Sequence, residues 1–192
     1  MNTCDRCGGS LKGKRAGARF CSKSCRNMFS RAQRSLPAEM REVDRWVGWK
    51  PVRRNGRETK VPIQPNGRNA SSTDPATWCG FDRVKSGRKG FVLGDGFGCV
   101  DFDHVIVDGV LDPVVAAWLD QCSATLVEVS PSGDGLHVWG KLPEARGHMF
   151  ERDGVSVEIY SVGRYVTVTG ERWAKSPSRL ADLSGFVGLL MS

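Results

Sequence analysis

Apolar and polar residues alternate over short stretches along most of the chain, the pattern expected of strands that bury one face. Such stretches predict β-strands at 46–52, 60–63, 90–93, 98–103, 125–130, 135–141, 155–160 and 164–169. A turn at Asn55-Gly56 separates the first two, and Pro62 favours a sheet edge for the second. Because hairpins dominate the second half, the sequence predicts an α+β fold with a mostly antiparallel sheet.

Helix signals are sparser than strand signals. Asp74-Pro75 and Asp112-Pro113 each join an N-capping side chain to proline at the first helical position. These pairs predict helices over 74–84 and 112–119. A closing helix is expected over 178–190.

Four cysteines precede the predicted sheet, as C-x2-C at Cys4 and Cys7 and C-x3-C at Cys21 and Cys25. Two close pairs on turns supply the four soft ligands of a tetrahedral Zn²⁺, and a segment this small needs such a staple to fold. Two structural disulfides are the alternative, although nothing in the sequence is secretory. The run around the second pair resembles treble-clef or ribbon-type zinc fingers.

These observations divide the chain into a zinc-binding basic module over 1–35, a linker over 36–44 and a main domain over 45–192. A short helix is expected to start at Cys25, and the module is predicted to hold one structural zinc ion. The remaining cysteines are isolated and are interpreted as buried small thiols. They are Cys79, Cys99 and Cys122.

Charge is distributed unevenly over the 192 residues, whose net charge is +7. Residues 1–35 carry +8 and residues 41–68 carry +5, whereas residues 91–134 contain eight acids and no Lys or Arg. The basic segments indicate a polyanionic partner such as nucleic acid. Within the second one, Trp46 and Trp49 either stack on bases or belong to the core. No long apolar run or N-terminal signal region is present, so we expect no membrane partner and a cytoplasmic location.

The stretch 98–103 carries the most informative chemistry. Alternation buries Val100 and Phe102 and places Asp101 and Asp103 together on the opposite face. Carboxylate oxygens are the preferred ligands of hard divalent cations, and such a cation would relieve the repulsion between the two acids. Two exposed acids at a strand end are the alternative. Glu158, in the middle of another alternating strand, either completes the site or lies on a solvated face.

The segment Ser130-Pro131-Ser132-Gly133-Asp134-Gly135-Leu136-His137 lies between these strands in sequence. Its glycines permit a turn that exposes backbone N–H groups to phosphate oxygens. His137 follows on the next strand, where it is either a functional residue or an ordinary core or surface histidine.

Taken in order, these segments resemble the catalytic domain of phage- and plasmid-encoded bifunctional DNA primase/polymerases (prim-pol), within the archaeo-eukaryotic primase superfamily. The similarity covers residues 46–170, about two thirds of the chain. The matching segments are Thr59-Lys60-Val61-Pro62, Ala70-Ser71-Ser72-Thr73-Asp74-Pro75 with Trp78, Gly90-Phe91-Val92-Leu93, Val100-Asp101-Phe102-Asp103-His104, Ser130-Pro131-Ser132-Gly133 with Gly135 and His137, Val157-Glu158-Ile159-Tyr160, and Gly163-Arg164-Tyr165 with Thr167, Thr169 and Gly170.

The resemblance implies an RRM-like catalytic core and template-directed nucleotidyl transfer onto a 3′-hydroxyl in phage or plasmid DNA replication. It implies that Asp101, Asp103 and Glu158 ligate two Mg²⁺ or Mn²⁺ ions and that His137 contacts the phosphates of the incoming nucleotide. Further nucleotide or DNA contacts are implied for Lys60, Ser72, Ser132, Gly133 and Arg164. The implied partners are a single-stranded DNA template, an NTP or dNTP and a separate replicative helicase, in the host cytoplasm if the protein is phage-encoded.

Two other functions use the same features. A non-catalytic zinc-finger DNA-binding or replication-initiation protein would keep the scaffold and the basic module without the chemistry. A metal-dependent nuclease would use the same carboxylates, but it leaves the turn at 130–137 without a role.

Overall fold

The computed structural model describes residues 3–7, 9–54, 56–85 and 87–192, so Asn55 of the predicted turn lies outside the described residues. The helices are α1 (Lys23–Arg34), α2 (Ala38–Arg41), α3 (Pro113–Leu119) and α4 (Ser184–Met191). The strands are β1 (Trp46–Arg54), β2 (Arg57–Ile63), β3 (Lys89–Val92), β4 (Phe97–Asp103), β5 (Ile106–Val107), β6 (Val110–Leu111), β7 (Val127–Val129), β8 (Leu136–Lys141), β9 (His148–Arg152), β10 (Val155–Tyr160), β11 (Tyr165–Val168) and β12 (Ala181–Asp182).

The strands form two main sheets. One has the order β11-β3-β1-β2, and the other has the order β12-β8-β4-β10-β9 with β7 also paired to β8. The pairings of both sheets are antiparallel apart from β12 with β8. This arrangement confirms an α+β fold with mostly antiparallel sheets, and β2 lies at an edge as its proline predicts.

The larger sheet is covered on both faces. Val100 and Phe102 of β4 pack on one side with Trp118 of α3 and Phe186 of α4. On the other side Cys99, Trp139 and Tyr160 pack with Trp46 and Phe91 of the smaller sheet. Polar side chains on this second face therefore lie between the two sheets, where part of the face is left open.

The predicted helix over 74–84 is wrong. Asp74 does cap a turn, since its Oδ1 accepts a hydrogen bond from the N–H of Ala76 at 3.1 Å. The turn stops after Pro75–Thr77, and a second short 3-10 turn covers Phe81–Arg83. Cys79 between them exchanges two backbone hydrogen bonds of 2.9 Å with Trp46. This long-range bridge extends the chain where the local signal favours helix.

The prediction over 112–119 is confirmed by α3, whose N-terminal N–H groups are capped by Asp112. The closing helix starts later than predicted, at Ser184, because Ala181–Asp182 pairs with β8 as the strand β12. Strand β9 has no counterpart in the sequence prediction. It lies at the edge of the larger sheet, and its exposed Met149 breaks the alternation that would have revealed it.

The N-terminal segments pack against the main domain. Helix α1 begins within the second cysteine pair and runs to Arg34, close to the predicted start. The segment predicted as a linker contributes two buried side chains, Leu36 and Met40, to the cluster between the sheets. No helix in the described part of the chain is long and apolar enough to cross a membrane.

Candidate active site and metal centre

Three polar side chains form a row across the middle of the larger sheet. Asp101 of β4 is the direct cross-strand partner of His137 on β8 and of Glu158 on β10. Direct partners place their side chains on the same face of a sheet. Asp103, two residues further along β4, pairs with Ser156 and shares this face. The antiparallel register thus gathers residues separated by 57 positions in sequence.

This row lies in a cavity of about 550 Å³ between the two sheets. All but one of the predicted catalytic and nucleotide- or DNA-binding residues line it: Lys60, Ser72, Asp101, Asp103, Ser132, His137, Glu158 and Arg164. The rim is ordered by polar contacts. The Ser72 hydroxyl donates to the carbonyl of Gly163 at 2.8 Å, and Arg164 donates to the Tyr160 hydroxyl at 2.8 Å.

Asp101 lies between His137 and Glu158 in the row of polar side chains that lines the cavity. The pKa of Asp101 is raised to about 6, chiefly by burial and also by the nearby carboxylates of Asp103 and Glu158, against the opposing effect of His137. Its buried Oδ1 has no hydrogen-bond partner among the described residues. The Nε2 atom of His137 is 3.7 Å from this oxygen. An unpartnered carboxylate oxygen beside two further acids is the donor set of a hard divalent cation, so these residues fit one.

The carboxylates are not drawn together around a single point. Within the described part of the chain, they form no group of three whose ligand atoms all lie within 4.8 Å of one another. Asp103 is exposed and Glu158 is half-buried. Both side chains therefore have room to change rotamer and close on a cation.

Sequence reasoning missed Glu128 of β7, which continues the row beyond His137. Its side chain is fully buried, and its Oε1 lies 3.3 Å from Nδ1 of His137. Oε1 also accepts a 2.9 Å hydrogen bond from the indole N–H of Trp139. The available signal was an acid inside the otherwise apolar run Leu126-Val127-Glu128-Val129, because such an acid is buried only when it is fully paired.

The turn before β8 lies between the cavity and a neighbouring groove. The hydroxyls of Ser130 and Ser132 lie 2.7 Å apart, and Ser132 lines the cavity. Gly133, the one predicted nucleotide- or DNA-binding residue that does not, lines the neighbouring groove instead. Its φ of +91° is a conformation that glycine adopts without strain.

The four clustered cysteines converge, as their spacing predicts. All four sulfur atoms lie within 4.8 Å of one another, with Cys7 to Cys21 at 3.5 Å and Cys21 to Cys25 at 3.4 Å. Zn–S bonds of about 2.3 Å in a tetrahedron give sulfur separations of roughly 3.8 Å, so the cluster could hold zinc. All seven cysteines of the chain are described, and none forms a disulfide.

Backbone hydrogen bonds stabilise the thiolate form of Cys4, one of the four cysteines. Burial alone would raise the pKa of Cys4, but hydrogen bonds from the backbone at Cys7, Cys21 and Arg6 lower it to about 6. One of these is the N–H of Cys21, 3.4 Å from the Cys4 sulfur. Hydrogen bonds that stabilise a thiolate favour metal binding, since metals bind the deprotonated form.

The cysteine module is fastened to the main domain beside the cavity. Arg6 forms a 2.9 Å ion pair with Glu171, and Asp5 accepts a 3.1 Å hydrogen bond from the N–H of Gly87. A groove of about 420 Å³ runs between the module and the sheets. Ser130 lines both this groove and the cavity, so the two adjoin.

Trp49 stands where the groove meets the cavity. Lys60 Nζ lies 5.8 Å from its ring centroid, and Arg88 Cζ lies 5.3 Å from it. Lys60 lines the cavity, whereas Trp49 and Arg88 line the groove. Trp46, the other tryptophan of the basic segment, is fully buried and belongs to the core.

Comparison with known proteins supports the family that the motifs indicate. The chain is 42% identical over 142 residues to a DNA primase-polymerase of Nitratiruptor phage NrS-1. The match covers 66% of this chain and 19% of that protein, so the chain spans about a fifth of its relative's length. No protein-family model matches the chain. The identity, together with the ordered set of motifs around the cavity, supports placing this chain with the prim-pol family.

Proposed function

We propose that this chain is a template-directed DNA primase/polymerase domain that transfers nucleotides onto a 3′-hydroxyl in phage or plasmid DNA replication. The observation that carries the proposal is the row of His137, Asp101 and Glu158 in the cavity. Nucleotidyl transfer from a triphosphate needs basic side chains that stabilise the negative charge of the phosphates. It also needs acidic side chains that bind metal ions. The 42% identity to a phage DNA primase-polymerase agrees with this assignment.

In this proposal Asp101, Asp103 and Glu158 hold two Mg²⁺ or Mn²⁺ ions. Once bound, these ions would supply Lewis-acid activation of the 3′-hydroxyl and would neutralise the pyrophosphate leaving group. Asp101 is suited to a shared position because it lies between the other groups in the row and its Oδ1 is unpartnered.

The remaining residues orient the nucleotide. His137 presents Nε2 on the cavity side and contacts the phosphates, while Lys60 and Arg164 add positive charge at the rim. Ser72 and Ser132 supply neutral hydroxyls on the same wall. Gly133 exposes backbone at the entrance from the groove, where it is placed to meet the nucleic-acid strand.

The cysteine module is proposed to bind one structural Zn²⁺ and to hold the single-stranded template. A cavity of about 350 Å³ on the module is lined by five basic side chains and by no acidic one. They are Lys14, Arg15, Arg19, Lys23 and Arg26. Such a lining attracts the phosphate backbone without reading sequence. We further propose that a separate replicative helicase opens the duplex.

A primer-synthesis assay tests the function. Purified protein is incubated with single-stranded DNA, labelled NTPs or dNTPs and either Mg²⁺ or Mn²⁺, with and without a primer. Metal-dependent products that disappear in Asp101→Ala support the proposal. Absence of product with both metals and all templates, with Asp101→Ala behaving identically, overturns it.

The same reactions separate the alternatives. A nuclease would release nucleotides from the labelled template instead of lengthening a strand. A non-catalytic DNA-binding protein would retain metal-independent DNA binding and bind no nucleotide. Neither the cavity nor the comparison favours the non-catalytic alternative, because all four proposed catalytic side chains face one cavity.

A further inference from the structure

Glu128 is a fully buried carboxylate beside His137, and the proposed function gives it no role. Its Oε2 accepts three hydrogen bonds, from the N–H of Thr169 at 3.1 Å, the hydroxyl of Thr169 at 3.1 Å and the N–H of Gly170 at 2.7 Å. Its Oε1 accepts from Trp139 at 2.9 Å and faces Nδ1 of His137 at 3.3 Å. A buried acid is tolerated only when paired this completely.

These contacts fix the direction of the carboxylate. Oε2 is held by donors from the segment after β11, so Oε1 is turned toward β8. A carboxylate with this donor set is acceptor-only, so Nδ1 of His137 is the ring atom that donates to it. The imidazole then has one orientation, with Nε2 toward Asp101 and the cavity.

We propose that Glu128 is the positioning residue of the site: it accepts the Nδ1–H of His137 and so holds the ring with Nε2 toward the nucleotide phosphates, to which the doubly protonated ring donates its Nε2–H. This inference rests on the proposed function. The ring is only 3% exposed, so its orientation is set by protein contacts and not by hydrogen bonds to bulk water. When a carboxylate accepts a hydrogen bond from one ring nitrogen of a buried histidine, it fixes the proton on that nitrogen.

The segment that binds the Glu128 carboxylate also contacts the cysteine module. The carbonyl of Gly170, whose N–H binds Oε2, accepts a 3.0 Å hydrogen bond from the hydroxyl of Ser35 just after α1. Gly170 has φ +67°, and a Cβ there would lie 2.5 Å from the carbonyl oxygen of Ala32. The segment after β11 that orients Glu128 is therefore in contact with the end of α1.

Glu128→Gln tests the proposal with little change in volume. The three donors at Oε2 retain the amide oxygen there, which turns the amide NH₂ toward Nδ1 of His137. Because Nδ1 then faces a donor, we expect it to lose its proton and the ring to keep only Nε2–H, which ¹⁵N NMR of the histidine ring reports directly. Trp139→Phe is the matched control, because it removes another donor to Oε1 and leaves the Glu128–His137 contact intact. The control should keep the wild-type ring signals.

The kinetic expectation is a loss of nucleotide affinity. Carboxylates that orient metal-bound histidines contribute about 10–100-fold in affinity or activity, and Glu128 holds His137 in the same way. We expect Glu128→Gln to raise KM for the nucleotide by such a factor, because the ring loses both its positive charge and the partner that fixes its orientation. In a His137→Ala background the same substitution should change KM less than about two-fold, because residues that act through one another are not additive.

The outcomes are distinct. An unchanged Nδ1 signal in folded Glu128→Gln, or an equal KM penalty with and without His137, overturns the positioning role. Failure of the wild-type protein to make any product overturns the proposed function instead. In that case the NMR comparison still decides whether Glu128 orients the ring.

Discussion

Asp101 and Glu158 are direct cross-strand partners on β4 and β10, so two acids face each other in the middle of a sheet. Like charges in this position destabilise a sheet. Asp103 adds a third acid on the same face, and Lys60 provides only partial compensation. The fold maintains this arrangement against its own stability, as expected of a site that binds cations.

Asp101→Asn should therefore separate stability from activity. Without divalent metal, we expect the substitution to raise the free energy of unfolding by about 1 kcal/mol, because it removes one like-charge neighbour. Metal-dependent nucleotide incorporation should fall by more than about 100-fold, since the proposed shared ligand is lost. Urea unfolding and the primer assay measure the two effects. Asp108→Asn, at an exposed turn with φ +52°, is the control and should change neither.

Cys25→Ser should remove the metal from the N-terminal module. Wild-type protein is expected to contain about one zinc per chain by elemental analysis, and the variant substantially less, because one of four thiolates is lost. Limited proteolysis should then cut within the first 35 residues while the main domain stays intact. Cys122→Ala, which alters an isolated half-buried thiol, should retain zinc. Freshly reduced wild-type protein without zinc would contradict the assignment.

Trp49→Ala should weaken binding of single-stranded DNA. An aromatic platform contributes about 1–3 kcal/mol per stacked base. The loss should appear in fluorescence anisotropy of a labelled oligonucleotide, whereas nucleotide binding in the cavity should be retained. Trp49→Phe keeps a ring and should restore most of the affinity. If the alanine variant binds DNA as tightly as the wild type, the strand does not pass this ring.

Lys89 should make stability depend on pH. Its ammonium group is buried against the Phe81 ring and donates to the carbonyls of Phe81 and Val84. Burial lowers the pKa of Lys89 to about 8. The unfolded chain then binds more protons between pH 8 and about 10.5, so this group's contribution to the free energy of unfolding rises over that interval, by up to about 3 kcal/mol.

Urea denaturation at a series of pH values, with Lys89→Met as the reference, measures this contribution. Other titrating groups affect both proteins alike, so the difference between them isolates Lys89. A difference that stays constant from pH 7.5 to 10 would show that the lysine titrates normally.

Short-range patterns predicted the faces of the site strands well. Alternation alone placed Asp101 opposite the buried Val100 and Phe102, and cysteine spacing predicted a cluster whose sulfur atoms do converge. Local capping at Asp74 was also correct, although the helix it predicted does not form. In that case a backbone bridge from Trp46 outweighs the local preference.

What the sequence did not reveal depends on strand pairing. The contact between Glu128 and His137 exists because β7 and β8 pair in one particular register. A shift of one residue would turn Glu128 to the opposite face of the sheet. Neither residue carries a local signal of that register, so the positioning carboxylate emerges only from the folded chain.

Under the proposed function, the anchors between the cysteine module and the main domain set the length that a single strand needs in order to contact both. Arg6 pairs with Glu171, and Ser35 just after α1 donates to Gly170, so direct contacts join the module that carries the basic cavity to the domain that carries the acidic row. An oligonucleotide too short to reach both is held at one end only. Affinity should therefore rise in a single step once an oligonucleotide spans the gap, because the second contact then forms within the same complex.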